Sequence, residues 1–297
     1  MAVQKIAVLG SGTMGHGIAQ AAIVAGFEVA LFDISQAMLD KAGETVRGNI
    51  DKHFIAKGKV TEEQGRDILS CLKLNTDMQK AVSDADFVIE AVPESLDLKK
   101  KVFADLDRFC QPHAVFATNT SVMSVTAIAG ATQRVDRCIG THFFNPAAVM
   151  KLVEVVTPIG VSAATIDIAV AVLKKMGKTP VKVKDVPGFI VNRLLGLLYQ
   201  ECAQIVLEGT ATAQEVDTAM RLGANHPMGP CELADFGGFD VIQMAQDATY
   251  EYTHRQRDRL NILYRKMIEA GRLGRKNGKG FYDYHEDGTK TAFTIFT

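Results

Sequence analysis

Cysteine is sparse in this chain, histidine shows no metal-binding spacing, and long apolar runs are missing. The 297 residues include five cysteines, Cys71, Cys110, Cys138, Cys202 and Cys231, scattered and without a CxxC pair. An odd, dispersed set argues for reduced thiols and against a disulfide framework or a zinc cluster. The seven histidines offer neither HxxxH nor HExxH spacing, so no metal site is expected. No apolar stretch approaches the roughly twenty residues of a membrane span. A strand begins about four residues after Met1, which leaves no room for a leader. Lysine and arginine total 33 against 34 acidic residues, a formal net charge of −1, with no general pull toward nucleic acid or anionic membrane. A soluble, cytoplasmic protein is the expectation. The length suggests two domains, and 47% hydrophobic residues can fill two cores.

The N-terminal pattern is the first positive signal. The apolar run Lys5–Leu9 meets Gly10-Ser-Gly12-Thr-Met-Gly15, and a helix over 14–25 follows, with small residues Gly15, Ala19 and Ala22 facing a sheet. Gly26 ends it, and the next strand, 28–33, finishes at Asp33. A GxGxxG alone is weak, but placed between strand and helix and followed by this acid it predicts a dinucleotide site. The first Gly permits the tight turn, the second lets a pyrophosphate approach, and the third lets helix and strand pack. Phosphates then meet the free N–H groups of a helix N-terminus. Asp33 would accept from ribose hydroxyls and repel a 2′-phosphate, and no Arg stands at Ile34 or Ser35, so NAD is expected over NADP. Ser35 is placed to cap a helix reaching about residue 56, and Thr61 starts another to about residue 69. Lys52, Lys57 and Lys59 give this hairpin a basic edge, either a solvated face or a clamp for a phosphorylated ligand.

Three more strand ends carry polar groups. A strand over 86–92 ends at Pro93-Glu94, with a helix over 95–109; 114–118 ends at Asn119-Thr-Ser121; 138–141 ends at His142. Ligands of doubly wound sheets bind outside the carboxyl ends of the strands. Glu94, Asn119, Ser121 and His142 are therefore delivered to the edge where the glycine loop lies. Glu154 sits inside the apolar run Leu152-Val-Glu-Val-Val156, where a carboxylate is costly unless paired. The turn at Asn145-Pro146 brings His142 back as its partner. A histidine so held is suited to general base catalysis; the plainer alternative is a core histidine on a backbone carbonyl with an ion-paired Glu.

A helix over 162–176 and a strand over 180–184 complete residues 1–186, and Asp185-Val-Pro187-Gly188 reads as the boundary to residues 187–297. Beyond it strand signals largely cease. The stretch 189–207 is apolar on nearly every face, so it must be covered on several sides, partly by a second subunit. Amphipathic segments follow near 212–222, 231–250 and 259–270. Asn192 lies in the first turn of the apolar helix, as a cap or facing a polar cleft; His226 reads as structural. The fold class is α/β: a Rossmann-type doubly wound sheet domain with a helical hairpin insertion, followed by an all-α C-terminal domain.

The motifs GSGTMG, TNTS, THFFNP with VMKLVEV, PGFIVNR, LGANHPMGP and GRKNGKGFYDY run from end to end in one order. Together they resemble the 3-hydroxyacyl-CoA dehydrogenase family, in its short-chain branch. The resemblance implies an NAD-dependent oxidoreductase interconverting (S)-3-hydroxyacyl-CoA, 3-hydroxybutyryl-CoA above all, and 3-oxoacyl-CoA, in fatty acid and butanoate metabolism. It implies a homodimer through the helical domain and an active site between the domains. His142 then matches the catalytic base, Glu154 its partner, and Ser121 and Asn192 the substrate-orienting groups. Gly10, Gly12, Thr13, Met14, Gly15, Asp33, Glu94, Lys99, Asn119, Ser121 and Asn145 match cofactor-contacting positions. Lys52 and Lys57 match a coenzyme A phosphate site. Two rivals share the fold. A dehydrogenase of free 3-hydroxyacids would carry a catalytic Lys near the start of the second domain's first helix, where this chain has Asn192 and Arg193. A non-catalytic, crystallin-like NAD-binding protein would not need the set Ser121, His142, Glu154 and Asn192.

Overall fold

Short apolar strands alternating with amphipathic helices build the first of two units, Met1–Phe189, in a computed structural model that describes residues 3–294. In chain order this unit runs β1 (Lys5–Leu9), α1 (Gly15–Val24), β2 (Glu28–Phe32), α2 (Gln36–Ile50), α3 (Glu62–Ser70), β3 (Leu72–Asn75), α4 (Met78–Val82), β4 (Phe87–Glu90), α5 (Leu96–Phe109), β5 (Val115–Thr118), α6 (Val125–Ala129), β6 (Cys138–Phe143), β7 (Leu152–Thr157), α7 (Ala163–Lys175) and β8 (Thr179–Lys184). Helix starts follow side-chain caps. Ser35, Ser95 and Ser162 each accept a backbone N–H of the first turn, and Thr61 and Gln64 form a reciprocal capping box. The expected helix to residue 56 stops at Ile50, and a π-helical turn, Asp51–Ile55, carries the chain on.

The eight strands form one sheet in the order β3-β2-β1-β4-β5-β6-β7-β8. All neighbours are parallel except β6 and β7. Residues 144–151 explain the exception, being shorter than the dozen or more residues a parallel crossover needs. Both faces of the sheet are covered, as double winding requires. Ile6, Val8, Leu31, Ile89 and Val155 pack with Ile18 and Ala22 of α1, Leu39 of α2 and Leu173 of α7. Leu9, Val88 and Phe116 pack with Val82, Phe103 and Ile128 of α4, α5 and α6 on the other face. Each fully buried Leu, Ile or Phe contributes on the order of 1.5–3 kcal/mol. Strand order reverses on either side of β1, between β2 and β4, which opens the crevice where α/β folds take ligands.

The second unit, Ile190–Thr297, is built of α8 (Val191–Leu207), α9 (Ala213–Gly223), α10 (Pro230–Gly237), α11 (Phe239–Thr253) and α12 (Ile262–Glu269). The amphipathic stretch expected over 231–250 is two helices, because Gly238 at φ +89° breaks it. A small antiparallel hairpin, β9 (Tyr282–Tyr284) and β10 (Lys290–Ala292), closes the described chain. Its core is aromatic: Phe239 meets Tyr264 at 5.1 Å and Phe281 at 5.3 Å, both edge to face. Helix α8 buries Cys202, Ala203 and Val206, whereas Leu194 stays 64% exposed. The glycine-rich motif near the end has a packing reason. Asp235 on α10 accepts the amides of Phe281 (2.8 Å) and Tyr282 (3.0 Å) and the Tyr284 hydroxyl (3.0 Å). A Cβ on Gly280 would lie 2.1 Å from that carboxylate, so only glycine fits there.

Candidate active site

The loop after β1 is shaped to let a ligand in. A Cβ on Gly15 would lie 1.7 Å from the Gly10 carbonyl oxygen, which fixes the close approach of helix and strand. A Cβ on Gly12 would meet nothing within 4 Å, so this stretch of backbone faces open space. Met14 provides no side-chain cap for α1, and no acid occupies its first turn. No capping side chain therefore competes with an anion for this helix start. Open backbone and uncapped helix start fit a dinucleotide pyrophosphate, and Thr13, exposed, lies beside them.

Asp33 follows β2 at the same edge. Its Oδ2 accepts the Ser11 amide and hydroxyl, each at 2.9 Å, and its Oδ1 accepts the Ser35 amide at 3.0 Å. Partial burial opposes the charge, but these donors outweigh it and hold the carboxyl below the usual carboxylate range. An ionised acid is therefore fixed beside the glycine loop, as ribose recognition requires.

At the ends of β4 and β5 the polar residues form a chain of contacts. Lys99, 1% exposed, reaches Glu90 Oε1 at 2.8 Å, Glu94 Oε2 at 3.2 Å and the Val92 carbonyl at 3.3 Å. Glu94 Oε1 accepts the Ser121 amide at 2.9 Å and also the Thr120 hydroxyl. Asn119 Oδ1 accepts the Phe143 amide at 2.9 Å, tying the end of β5 to that of β6. Glu94, Lys99, Asn119 and Ser121 are brought together.

His142 and Glu154 are direct cross-strand partners in the β6–β7 pair, and His142 Nδ1 lies 2.7 Å from Glu154 Oε2. Their side chains are 5% and 0% exposed. Backbone register therefore makes this contact, and it fixes the imidazole with Nε2 as its free nitrogen. The rings of Phe144 (4.5 Å) and Phe189 (5.5 Å) flank the imidazole. A carboxylate on one nitrogen and apolar walls around the ring suit a proton carrier.

A cleft of about 530 Å3 in the first unit is lined by Thr13, His53, Lys57, Lys59 and Asn145, among others. Lys52 is exposed and is not among the lining residues. The π-helical turn adds a residue to the helix turn at this point and rotates the following side chains. Asn192 is half-buried in the first turn of α8 in the second unit. His226, read as structural, donates its amide to the Met220 carbonyl at 3.2 Å.

Three further residues near these groups have structural roles that the sequence reading misses. Glu90 is wholly buried, and its place inside the run Phe-Val-Ile-Glu-Ala-Val gives the same signal that marked Glu154. Lys178 donates to the carbonyls of Ala147 (2.6 Å) and Met150 (2.9 Å), pinning the loop after Asn145, and burial pushes its ammonium below the usual lysine value. Phe189 stands at φ +49°, a strained conformation that no composition signal announces.

Family models match nearly the whole chain. The 3-hydroxyacyl-CoA dehydrogenase NAD binding domain matches residues 5–186, and the 3-hydroxyacyl-CoA dehydrogenase C-terminal domain matches residues 188–284. A probable 3-hydroxybutyryl-CoA dehydrogenase of Bacillus subtilis is 40% identical over 286 residues, 96% of this chain and 99% of the relative. The human mitochondrial hydroxyacyl-coenzyme A dehydrogenase is 40% identical over 291 residues, 95% of this chain and 91% of the relative. The crystal structure of an (S)-3-hydroxybutyryl-CoA dehydrogenase from Ralstonia eutropha superposes with a TM-score of 0.92 at 40% identity, covering 96% of this chain and all of that one. The chain belongs to the 3-hydroxyacyl-CoA dehydrogenase family and is an NAD-dependent oxidoreductase of that kind.

Proposed function

We propose that this enzyme interconverts short-chain (S)-3-hydroxyacyl-CoA, 3-hydroxybutyryl-CoA first among them, and the 3-oxoacyl-CoA, with His142 as the proton-transfer group. The observation that carries this reading is the buried 2.7 Å contact between His142 and Glu154. NAD, held by the glycine loop and Asp33, would supply the hydride acceptor for oxidation of the C3 alcohol. In that direction His142 Nε2 takes the proton of the C3 hydroxyl, and in reverse it returns it to the ketone oxygen. Glu154 stabilises the imidazolium and fixes its tautomer. Ser121 and Asn192 hold the substrate oxygens, supplying directed dipoles. Gly10, Gly12, Thr13, Met14, Gly15, Asp33, Glu94, Lys99, Asn119, Ser121 and Asn145 contact the cofactor. Lys57 and Lys52 of the hairpin meet the coenzyme phosphates, a role that Lys57 in the wall of the cleft supports better than exposed Lys52.

In this reading residues 1–186 form the cofactor domain and residues 187–297 the substrate and dimerisation domain. The second unit leaves Leu194 (64%), Phe236 (58%) and Met244 (52%) exposed, a burden of apolar surface that a second copy of the chain would cover. Among the described residues no helix is long and apolar enough to cross a membrane, and the reading places the enzyme in the cytoplasm, in fatty acid and butanoate metabolism. Acetoacetyl-CoA with NADH or NADPH tests it: rapid loss of NADH absorbance with NADPH near silent is expected. Binding of NADH without turnover would overturn the reading.

A further inference from the structure

Among the described residues, Glu90 is the one fully buried carboxylate at the strand ends that none of these roles uses. It ends β4 with no exposed surface and is saturated with donors. Its Oε1 accepts the Val92 amide and the Lys99 ammonium, both at 2.8 Å, and its Oε2 accepts the Thr118 hydroxyl at 2.6 Å. Lys99 in turn reaches Glu94 at 3.2 Å, and Glu94 holds the Ser121 amide at 2.9 Å. The order Glu90, Lys99, Glu94, Ser121 thus runs from the core outward to the sheet edge. Lys99 is nearly as buried as Glu90, whereas the Glu94 side chain is 22% exposed.

Two consequences follow from charge and position. Lys99 alone would be drawn to Glu94, the more exposed acid; Glu90, pulling from within, holds the ammonium in the wall and Glu94 at a fixed distance beyond it. The cluster of two carboxylates and one ammonium also carries a formal excess of one negative charge. An oxidised nicotinamide ring is cationic and a reduced one is neutral, so a negative excess beside the ring would discriminate between them. We propose that Glu90 is a positioning residue that sets Lys99 and the Glu94–Ser121 edge, and that its charge favours NAD+ over NADH. The inference rests on reading Glu94 and Lys99 as cofactor-contacting residues.

Binding tests it without turnover. The full chain is titrated with NADH by nucleotide fluorescence and with NAD+ by competition, and thermal melting checks the fold. Glu90→Gln keeps the shape and removes the charge, so it should weaken NAD+ on the order of tenfold and NADH much less. A folded Glu90→Gln that binds both as the wild type does, or weakens both equally, overturns the inference. If that variant does not fold, Glu90→Gln with Lys99→Met removes both buried charges together, a change that cores tolerate better than a broken pair. That double variant keeps the formal excess of one negative charge on Glu94 but frees it from its anchor. The ratio of NAD+ to NADH affinity should then stay at its wild-type value, whatever the lost Lys99 contact costs both nucleotides, and a ratio that collapses would overturn the inference. Wild-type protein that binds neither nucleotide would instead overturn the functional reading on which this one stands.

Discussion

Buried carboxylates in the two units are held in different company. In the first unit Glu154 faces an imidazole and Glu90 an ammonium. In the second, Asp235 is held by two amides and a phenol, and Asp217 by the amides of Cys231 (2.7 Å) and Glu232 (3.0 Å) and the Tyr282 hydroxyl (2.6 Å). Neutral donors can fasten an acid but give it no proton to exchange near neutral pH. They fit staples, here between α10 and the terminal hairpin and between α9 and α10. An ionisable partner beside a ligand-facing edge fits chemistry or charge recognition. Burial alone does not separate the two classes, since all four acids are nearly inaccessible; the partner does.

Variants that remove one acid or its partner should therefore split activity from stability. His142→Ala is expected to lower kcat per folded molecule by roughly 10²–10⁴ with NADH affinity near wild type, and to lower the melting temperature because the buried Glu154 loses its imidazole; a loss of activity of only a few-fold would break the comparison on its catalytic side. Asp235→Ala should instead leave three donors without an acceptor and cost about 3 kcal/mol or more of stability, with kcat per folded molecule retained. Equilibrium denaturation beside active-site titration checks both halves, and a stable Asp235→Ala would deny it the role of staple.

Acidity sharpens the same contrast. Burial pushes the Asp235 carboxyl up to about 6, against the lowering effect of its donors. A carboxyl raised on folding stabilises most when protonated, below its unfolded value, and that contribution is lost as pH rises through the folded value. Stability should then fall between about pH 4 and 6 by up to roughly 3 kcal/mol, and Asp235→Asn should flatten this slope. Asp33 has the opposite sign. Its depressed carboxyl gives stability that is present above the usual carboxylate range and lost as pH falls through its folded value. The effect is smaller because Asp33 remains partly exposed. Asp33→Asn should remove it and relax the preference for NADH over NADPH, as paired titrations would show.

Strand ends carry most of what is legible in the amino-acid sequence alone. The glycine loop, Asp33, Glu94, Asn119, Ser121 and His142 are each marked by an apolar run that stops, and a parallel sheet gathers such stops at one edge. Glu90 carried the same mark as Glu154 but lacked a histidine one turn away to suggest a partner; Lys99 lies nine residues on, across a loop and a helix turn. Other features left weaker traces. Strand β3 is four residues long with two exposed, so its alternation is too brief to read. Gly238 interrupts a hydrophobic period that continues on both sides of it. The π-helical turn Asp51–Ile55, just before the cleft residues Lys57 and Lys59, has no composition signal.

Glu154→Gln tests the central claim most directly, because it keeps shape and hydrogen-bonding reach while removing the charge that an imidazolium needs. The rate of acetoacetyl-CoA reduction by NADH, measured on protein with wild-type melting temperature and NADH affinity, should fall at least about a hundredfold. A rate within a few-fold of wild type would show that the buried pair is a staple like Asp235, and that the proton is carried elsewhere.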